Sequence, residues 1–327
     1  MKTLLLCGVL SAVLVVVCGL ICVPLLRRIK AGQTVLKYVE EHKDKNGTPT
    51  MGGLFFIVPT VVMFFLFGGS KGKIAVFTVA IGLAYMIVGF IDDFIKVKFK
   101  QNEGLKAYQK IVFQFLIALT AGIFAFVNGI TKFNLPFSMR FIDLGVLTIP
   151  IITIIFIAVT NSVNLTDGLD GLAGSTCATY LFFITVIIIL QSSSVPLEHL
   201  EGEEYDAITM LSSALFGGVI GFLIFNTNKA KVFMGDTGSL SLGGFIGAIS
   251  IFTFNSFFIP LLGITFALSS ISVILQVVHY KRTKKRIFLM TPLHHHFQLK
   301  GFTESQIAYL YSFVTAIFGS VLLFVYL

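Results

Sequence analysis

Apolar runs of about 20 residues recur from one end of this 327-residue chain to the other. Wound as a helix, a run of that length crosses a hydrocarbon core of roughly 30 Å. Inside hydrocarbon every backbone amide must find its partner within the protein, which restricts such runs to helices. The expected fold is therefore an all-α polytopic membrane protein. Ten transmembrane spans are expected near residues 3–24, 51–69, 74–96, 107–128, 146–163, 172–191, 207–225, 238–254, 257–279 and 305–326. No polar stretch is long enough for a separate soluble domain, so residues 1–327 read as one integral membrane domain. The segment from Phe133 to Leu144, with Pro136 inside it, reads as a small hairpin before span 5.

Lys and Arg set the expected orientation. The loops after the odd-numbered spans, with the span ends beside them, hold 19 of the 24, and the N-terminus with the loops after the even-numbered spans holds 5. Cationic loops stay in the cytoplasm, so both termini and the hairpin are expected outside. Arg27, Arg28 and Lys30 follow the first span directly, which favours a membrane span over a cleaved signal peptide. The net charge of +8 suits anionic headgroups and an anionic substrate alike. Cys7, Cys18, Cys22 and Cys177 all lie in apolar context, without metal-ligand spacing, and read as packing residues.

Against this background the acids stand out. Asp92, Asp93, Asp167, Asp170 and Asp236 all fall at the ends of apolar runs, and the charge count puts them on the cytoplasmic side. Carboxylates near hydrocarbon are costly and mark functional sites. Asp92 and Asp93 are adjacent, so on a helix they point about 100° apart and meet different partners. Lys96 and Lys98 are available to neutralise them. Asn161, Asn164, Asp167 and Asp170 recur at every third residue, which gathers oxygen atoms on one helical face. Oxygen ligands of this kind suit magnesium, and equally the hydroxyls of a nucleoside. Gly235 and Gly238 bracket Asp236 in Phe233-Met-Gly-Asp-Thr-Gly-Ser239, where Thr237 or Ser239 is placed to cap span 8. The Gly-Lys-Ser/Thr ending of a P-loop is missing. His294, His295 and His296 follow Pro292-Leu293 and are suited to hold phosphate or to exchange protons near neutral pH. Lys45-Asn-Gly-Thr-Pro-Thr-Met-Gly-Gly53 forms a compact turn into span 2. The pairs Gly217/Gly221 and Gly243/Gly247 read as close helix contacts.

The order of these segments is more specific than any one of them. Thr48-Pro-Thr-Met-Gly-Gly53, Phe90-Ile-Asp-Asp93, Asn164-Leu-Thr-Asp-Gly-Leu-Asp-Gly171, Phe233-Met-Gly-Asp-Thr-Gly-Ser239 and Thr291-Pro-Leu-His-His-His-Phe297 together resemble the phospho-N-acetylmuramoyl-pentapeptide transferases. That family lies within the polyprenyl-phosphate N-acetylhexosamine 1-phosphate transferase superfamily. The resemblance implies ten transmembrane helices, a homodimer in the bacterial plasma membrane, and a Mg2+-dependent reaction at its cytoplasmic face. Phospho-MurNAc-pentapeptide would pass from UDP-MurNAc-pentapeptide to undecaprenyl phosphate, giving lipid I and UMP. Membrane lipids are implied partners, and nucleic acid is not.

By matching motif positions, Asp236 corresponds to the metal-binding aspartate. Asp92 and Asp93 correspond to the paired acids of the catalytic centre, with Asp92 the preferred general base. Asp167 and His294 complete the catalytic set. Lys45 and Lys110 would meet phosphate, Asn164 would stand near metal and phosphates, and Asp170, Asn226 and Phe233 would hold the nucleoside. His295 and His296 would serve the substrate's phosphate and sugar side. Ser269 and Gln298 depart from the acids expected there. A relative using UDP-GlcNAc would share the acid motifs but not the three histidines. An ion-coupled transporter predicts acids deep within spans and internal repeats, and neither is present.

Overall fold

A computed structural model describes residues 1–28, 47–101, 103–138, 140–194, 202–227, 229–324 and 326. Each of the ten expected spans meets a helix. In chain order the helices are α1 (Lys2–Arg28), α2 (Gly53–Leu66), α3 (Lys73–Phe99), α4 (Ala107–Val127), α5 (Thr148–Thr166), α6 (Leu172–Ser194), α7 (Gly202–Asn226), α8 (Gly235–Phe252), α9 (Ile259–Leu262) with α10 (Ile264–Thr283) in the ninth span, the short α11 (Leu293–Gln298) outside the spans, and α12 (Glu304–Leu323). The expected hairpin forms between α4 and α5. Its strands β1 (Lys132–Leu135) and β2 (Arg140–Asp143) pair antiparallel, with Phe133 opposite Ile142. Asn134 fastens the hairpin to the helical body, donating its backbone N–H to the Phe254 carbonyl at 2.9 Å and its side-chain amide to the Tyr326 hydroxyl at 2.6 Å.

Among the described residues, eight helices are long and apolar enough to cross a membrane. Three expected spans differ in form. Span 2 is the 14-residue α2, which at 1.5 Å per residue extends about 21 Å and falls short of the hydrocarbon thickness. Span 9 is broken at Gly263 into α9 and α10. Span 8 is α8, a helix enclosed by protein: every residue from Thr237 to Phe252 is buried. It packs on α2, α3, α5 and α6, and its hydroxyls find protein partners, as when Ser241 donates to the Gly82 carbonyl at 2.9 Å.

Small residues allow the close packing. A Cβ on Gly243 would meet the Thr160 backbone at 2.6 Å, and one on Gly221 the Ala12 carbonyl at the same distance. Both glycine pairs thus serve helix contact, as their spacing predicts. The outward faces of α1, α4, α10 and α12 carry exposed Leu, Ile, Val and Phe, the surface expected against lipid. The four cysteines are free, with Cys7 and Cys177 buried. At the start of α3 the N-cap Gly72 has no side chain to offer. Glu204 of α7 substitutes, accepting from the backbone N–H groups of Lys73 at 2.8 Å and Ile74 at 2.9 Å. Orphan amides of a helix N-terminus are satisfied in this way, and the carboxylate also opposes the helix dipole.

Candidate active site

The other end of α3 carries the acids. Asp92 and Asp93 diverge as adjacent helical residues must. Asp93 turns to the start of α8, where it accepts from the backbone N–H groups of Asp236 at 3.2 Å and Thr237 at 2.9 Å, and from the Thr237 hydroxyl at 2.7 Å. The cap of α8 therefore comes from α3. Neither Thr237 nor Ser239 caps it, because Ser239 donates back to the Gly235 carbonyl at 2.9 Å. Asp92 turns the other way and accepts the Leu105 N–H at 2.8 Å. Two glycines permit the approach. Gly235 has φ 72°, and a Cβ there would strike Thr50 and Asp93. A Cβ on Gly89 would overlap the Asp236 carbonyl.

Asp236 faces Asp92 and Asp93, and ligand oxygens from these three residues lie within 4.8 Å of one another. Asp236 Oδ2 takes the ammonium groups of Lys96 and Lys110, each at 2.9 Å, and its Oδ1 accepts from the Asn164 amide at 2.6 Å. Lys96 also lies 2.6 Å from Asp92 and 4.0 Å from Asp93. Lys98 takes no part and sits over the Phe94 and Phe99 rings. Three carboxyl groups thus face two ammonium groups. Closely grouped carboxylate oxygens are the donor set of a hard divalent cation such as Mg2+.

A second group adjoins the first. Asp170 accepts the Ala230 N–H at 2.9 Å and donates its own N–H to Glu304 at 2.7 Å. Asn226 accepts the Gly171 N–H at 3.1 Å and donates to the Val232 carbonyl at 3.0 Å. The turn after α5 is thereby tied to the loop before α8. Phe233 exchanges backbone bonds with the turn before α2, its N–H reaching the Pro49 carbonyl at 2.8 Å and its carbonyl accepting the Gly52 N–H at 2.9 Å. Lys45 lies outside the described residues. Asp167, at the end of α5, is partly exposed. The protein around it, with Asp236, Asp93 and Asp170 nearby, raises its carboxyl well above the ordinary range.

The histidines form a third group on α11. His294 is fully buried, neither ring nitrogen has a hydrogen-bond partner, and its Nε2 abuts Gly168. Burial, with His295 beside it, pushes its pKa down to about 3. His295 Nδ1 lies 3.2 Å from Gln298 Oε1, and His296 Nδ1 accepts the Leu289 N–H at 3.2 Å. Gln298 thus steadies a histidine. Ser269 is buried between α10 and α12, with its hydroxyl 3.3 Å from that of Tyr311.

Several residues of the site are weakly marked or unmarked in the sequence. Lys96 was legible only as a neutralising partner, although its spacing from Asp92 and Asp93 puts it on their face. Thr50 is buried beside Asp93 and Gly235. Gln114 of α4 pairs with Asn161 of α5 at 2.7 Å, one turn from Lys110 and Asn164 respectively. Glu304 had no local signal.

An apolar cavity of about 330 Å³ lies between α5, α6, α8 and α9–α10, lined by Ile154, Ala158, Ser162, Ile246, Pro260 and Phe266 among others.

The sequence is similar to known proteins over nearly its full length. The description "Glycosyl transferase family 4" matches residues 74–254, and the phospho-N-acetylmuramoyl-pentapeptide-transferase signature 1 matches residues 45–57. The phospho-N-acetylmuramoyl-pentapeptide-transferase of Thermoanaerobacter sp. (strain X514) is 40% identical over 318 residues, covering 97% of this chain and 96% of the relative. That of Clostridioides difficile (strain 630) is 37% identical over 317 residues, covering 95% and 94%. With relatives this similar from end to end, the chain belongs to the phospho-N-acetylmuramoyl-pentapeptide transferase family.

Proposed function

We propose that this chain transfers phospho-MurNAc-pentapeptide from UDP-MurNAc-pentapeptide to undecaprenyl phosphate, releasing UMP and forming lipid I at the cytoplasmic face of a bacterial plasma membrane. The observation that carries the reading is the cluster of Asp92, Asp93 and Asp236, ringed by Lys96 and Lys110 at the end of membrane-length helices. Joining a phosphate to a diphosphate brings anions together, and cations at fixed positions overcome that repulsion. Asp92, Asp93 and Asp236 are the residues that would hold Mg2+. When bound, the ion shields the diphosphate and stabilises charge on departing UMP.

The roles of the side chains follow from their contacts. Asp93 is committed to three donors at the start of α8, so it fixes geometry and does not move a proton. Asp92 accepts one backbone N–H and the Lys96 ammonium, which leaves it the acid available to the incoming lipid phosphate. A phosphate monoester has a second pKa of about 6 and is largely ionised at neutral pH. Asp92 therefore acts more in placing the nucleophile than in deprotonating it. Lys110 and Lys45 would meet phosphate charge, and Asp170, Asn226 and Phe233 the nucleoside. The neutral ring of His294, with His295 and His296, would face the sugar and its phosphate. The apolar cavity beside α5 suits the prenyl chain.

The test is UMP release by the purified protein with undecaprenyl phosphate, with and without Mg2+. Release from UDP-MurNAc-pentapeptide and not from UDP-GlcNAc supports the proposal; release from UDP-GlcNAc alone moves the chain to another branch of the superfamily. The pH–rate profile of Asp92→Asn separates the two roles. Recovery of the wild-type rate at high pH would make Asp92 a base, and loss at every pH would make it a positioning group.

A further inference from the structure

Lys96 occupies an unusual place in the acid centre. It lies one turn beyond Asp92 and Asp93 on α3, and its ammonium reaches Asp92 at 2.6 Å, Asp236 at 2.9 Å and Asp93 at 4.0 Å. Lys110 reaches Asp236 at 2.9 Å. Lys96 thus sits among all three carboxylates whose oxygens form the candidate divalent-cation set. An ammonium and a divalent ion cannot share those oxygens without strong repulsion in a site this enclosed.

We propose that Lys96 is the resident counter-cation of the cluster, and that a divalent ion must displace it toward the anionic nucleotide, so that metal and nucleotide bind cooperatively. The proposal rests on the reading of the acid cluster as a metal site. Its parts differ in freedom. Asp93 is held by the amides of α8 and Asp92 by the Leu105 N–H, so the carboxylates stay in place. The Lys96 side chain remains 17% exposed, and its four-carbon stem swings readily. Once displaced, its charge needs an anion. A diphosphate supplies one, while a site without nucleotide offers only water. Each ligand then favours the other by the same factor, as linkage requires.

The experiment measures Mn2+ binding to the purified full-length protein by electron paramagnetic resonance, with and without UDP, in wild type, Lys96→Met and Lys96→Arg. Free Mn2+ is fixed in every sample to offset binding by UDP in solution. Lys96→Met is expected to bind Mn2+ at least tenfold tighter than wild type without UDP, equivalent to about 1.4 kcal/mol. UDP should tighten Mn2+ binding in wild type and do so much less in Lys96→Met. Lys96→Arg keeps the charge and should follow wild type. Damage to the fold weakens metal binding, so tighter binding by the methionine variant cannot come from a structural defect. Equal or weaker binding by Lys96→Met overturns the proposal and leaves the metal reading intact. Absence of Mn2+ binding in every form overturns both.

Discussion

His294 makes the folded protein sensitive to acid in a way that one substitution should remove. Its ring is fully buried, neither nitrogen has a partner, and its pKa is pushed down to about 3 from the ordinary 6.5. Between those values the unfolded chain binds a proton that the folded chain refuses, so stability falls as pH drops through about 6.5. At about pH 5.5, one unit below the unfolded value, the loss is about 1.4 kcal/mol, and at about pH 7.5 it is under about 0.1 kcal/mol. The perturbation is His294→Gln, which cannot titrate. Tryptophan is absent from the chain, but Cys7 and Cys177 are buried, so labelling with a thiol-reactive dye reports unfolding. Aliquots heated at each pH and returned to neutral pH before labelling give an apparent midpoint. Moving from about pH 7.5 to about pH 5.5 should lower the wild-type midpoint by roughly 2–4 °C more than that of the variant. Equal shifts in the two proteins would refute the assignment of a buried neutral ring.

Four further outcomes follow from the same contacts. Glu204→Ala removes the substitute cap of α3 and should cost about 1–2 kcal/mol in thermal unfolding, with turnover per folded molecule retained because the acids lie at the far end of that helix. Gly89→Ala forces α3 from the Asp236 carbonyl and should lower UMP release by about tenfold or more, about 1.4 kcal/mol in the barrier. Asp167 has a raised pKa, so stability falls as pH rises from the ordinary carboxylate range up to the folded value and then levels off; Asp167→Asn should melt higher than wild type at about pH 8 and turn over more slowly. Gln114→Leu removes one of the two acceptors of the Asn161 amide, which keeps its bond to the Ile157 carbonyl, and should destabilise by about 0.5–1.5 kcal/mol in the same unfolding assay.

The spans were legible because their length and hydropathy are local properties, and the hairpin because Pro136 interrupts a strand-like run. The acids were legible because a carboxylate at the end of an apolar run needs a reason to be there. What escaped was whatever depends on a partner distant in sequence. Asp170 meets Glu304 across 134 residues and Lys73 meets Glu204 across 131, and no periodicity encodes either contact. The form of span 8 escaped for a related reason. Apolar residues facing lipid and apolar residues facing other helices have the same composition, so only packing shows that α8 is enclosed. Its small and hydroxyl residues, from Gly238 to Ser250, are the local trace of that enclosure.

The enclosure of α8 bears on how charge is tolerated beside hydrocarbon. A buried carboxylate is costly unless hydrogen bonds hold its charge. Asp93 receives those bonds from the first amides of α8, which have no partners within their own helix. One contact thus satisfies the orphan amides and the buried acid together. The same helix start presents Asp236, which meets Lys96 from α3, Lys110 from α4 and Asn164 from α5. The spacing of the three acids is therefore set by the packing of α3 on α8, where Gly82, Gly89 and Gly244 leave no room for a larger residue. Substitutions at these glycines should act on the acid centre through helix position, without changing any charge. An enlarged residue deep in the α3–α8 contact, at Gly244 against Tyr85, would reach the chemistry only by moving the whole helix start.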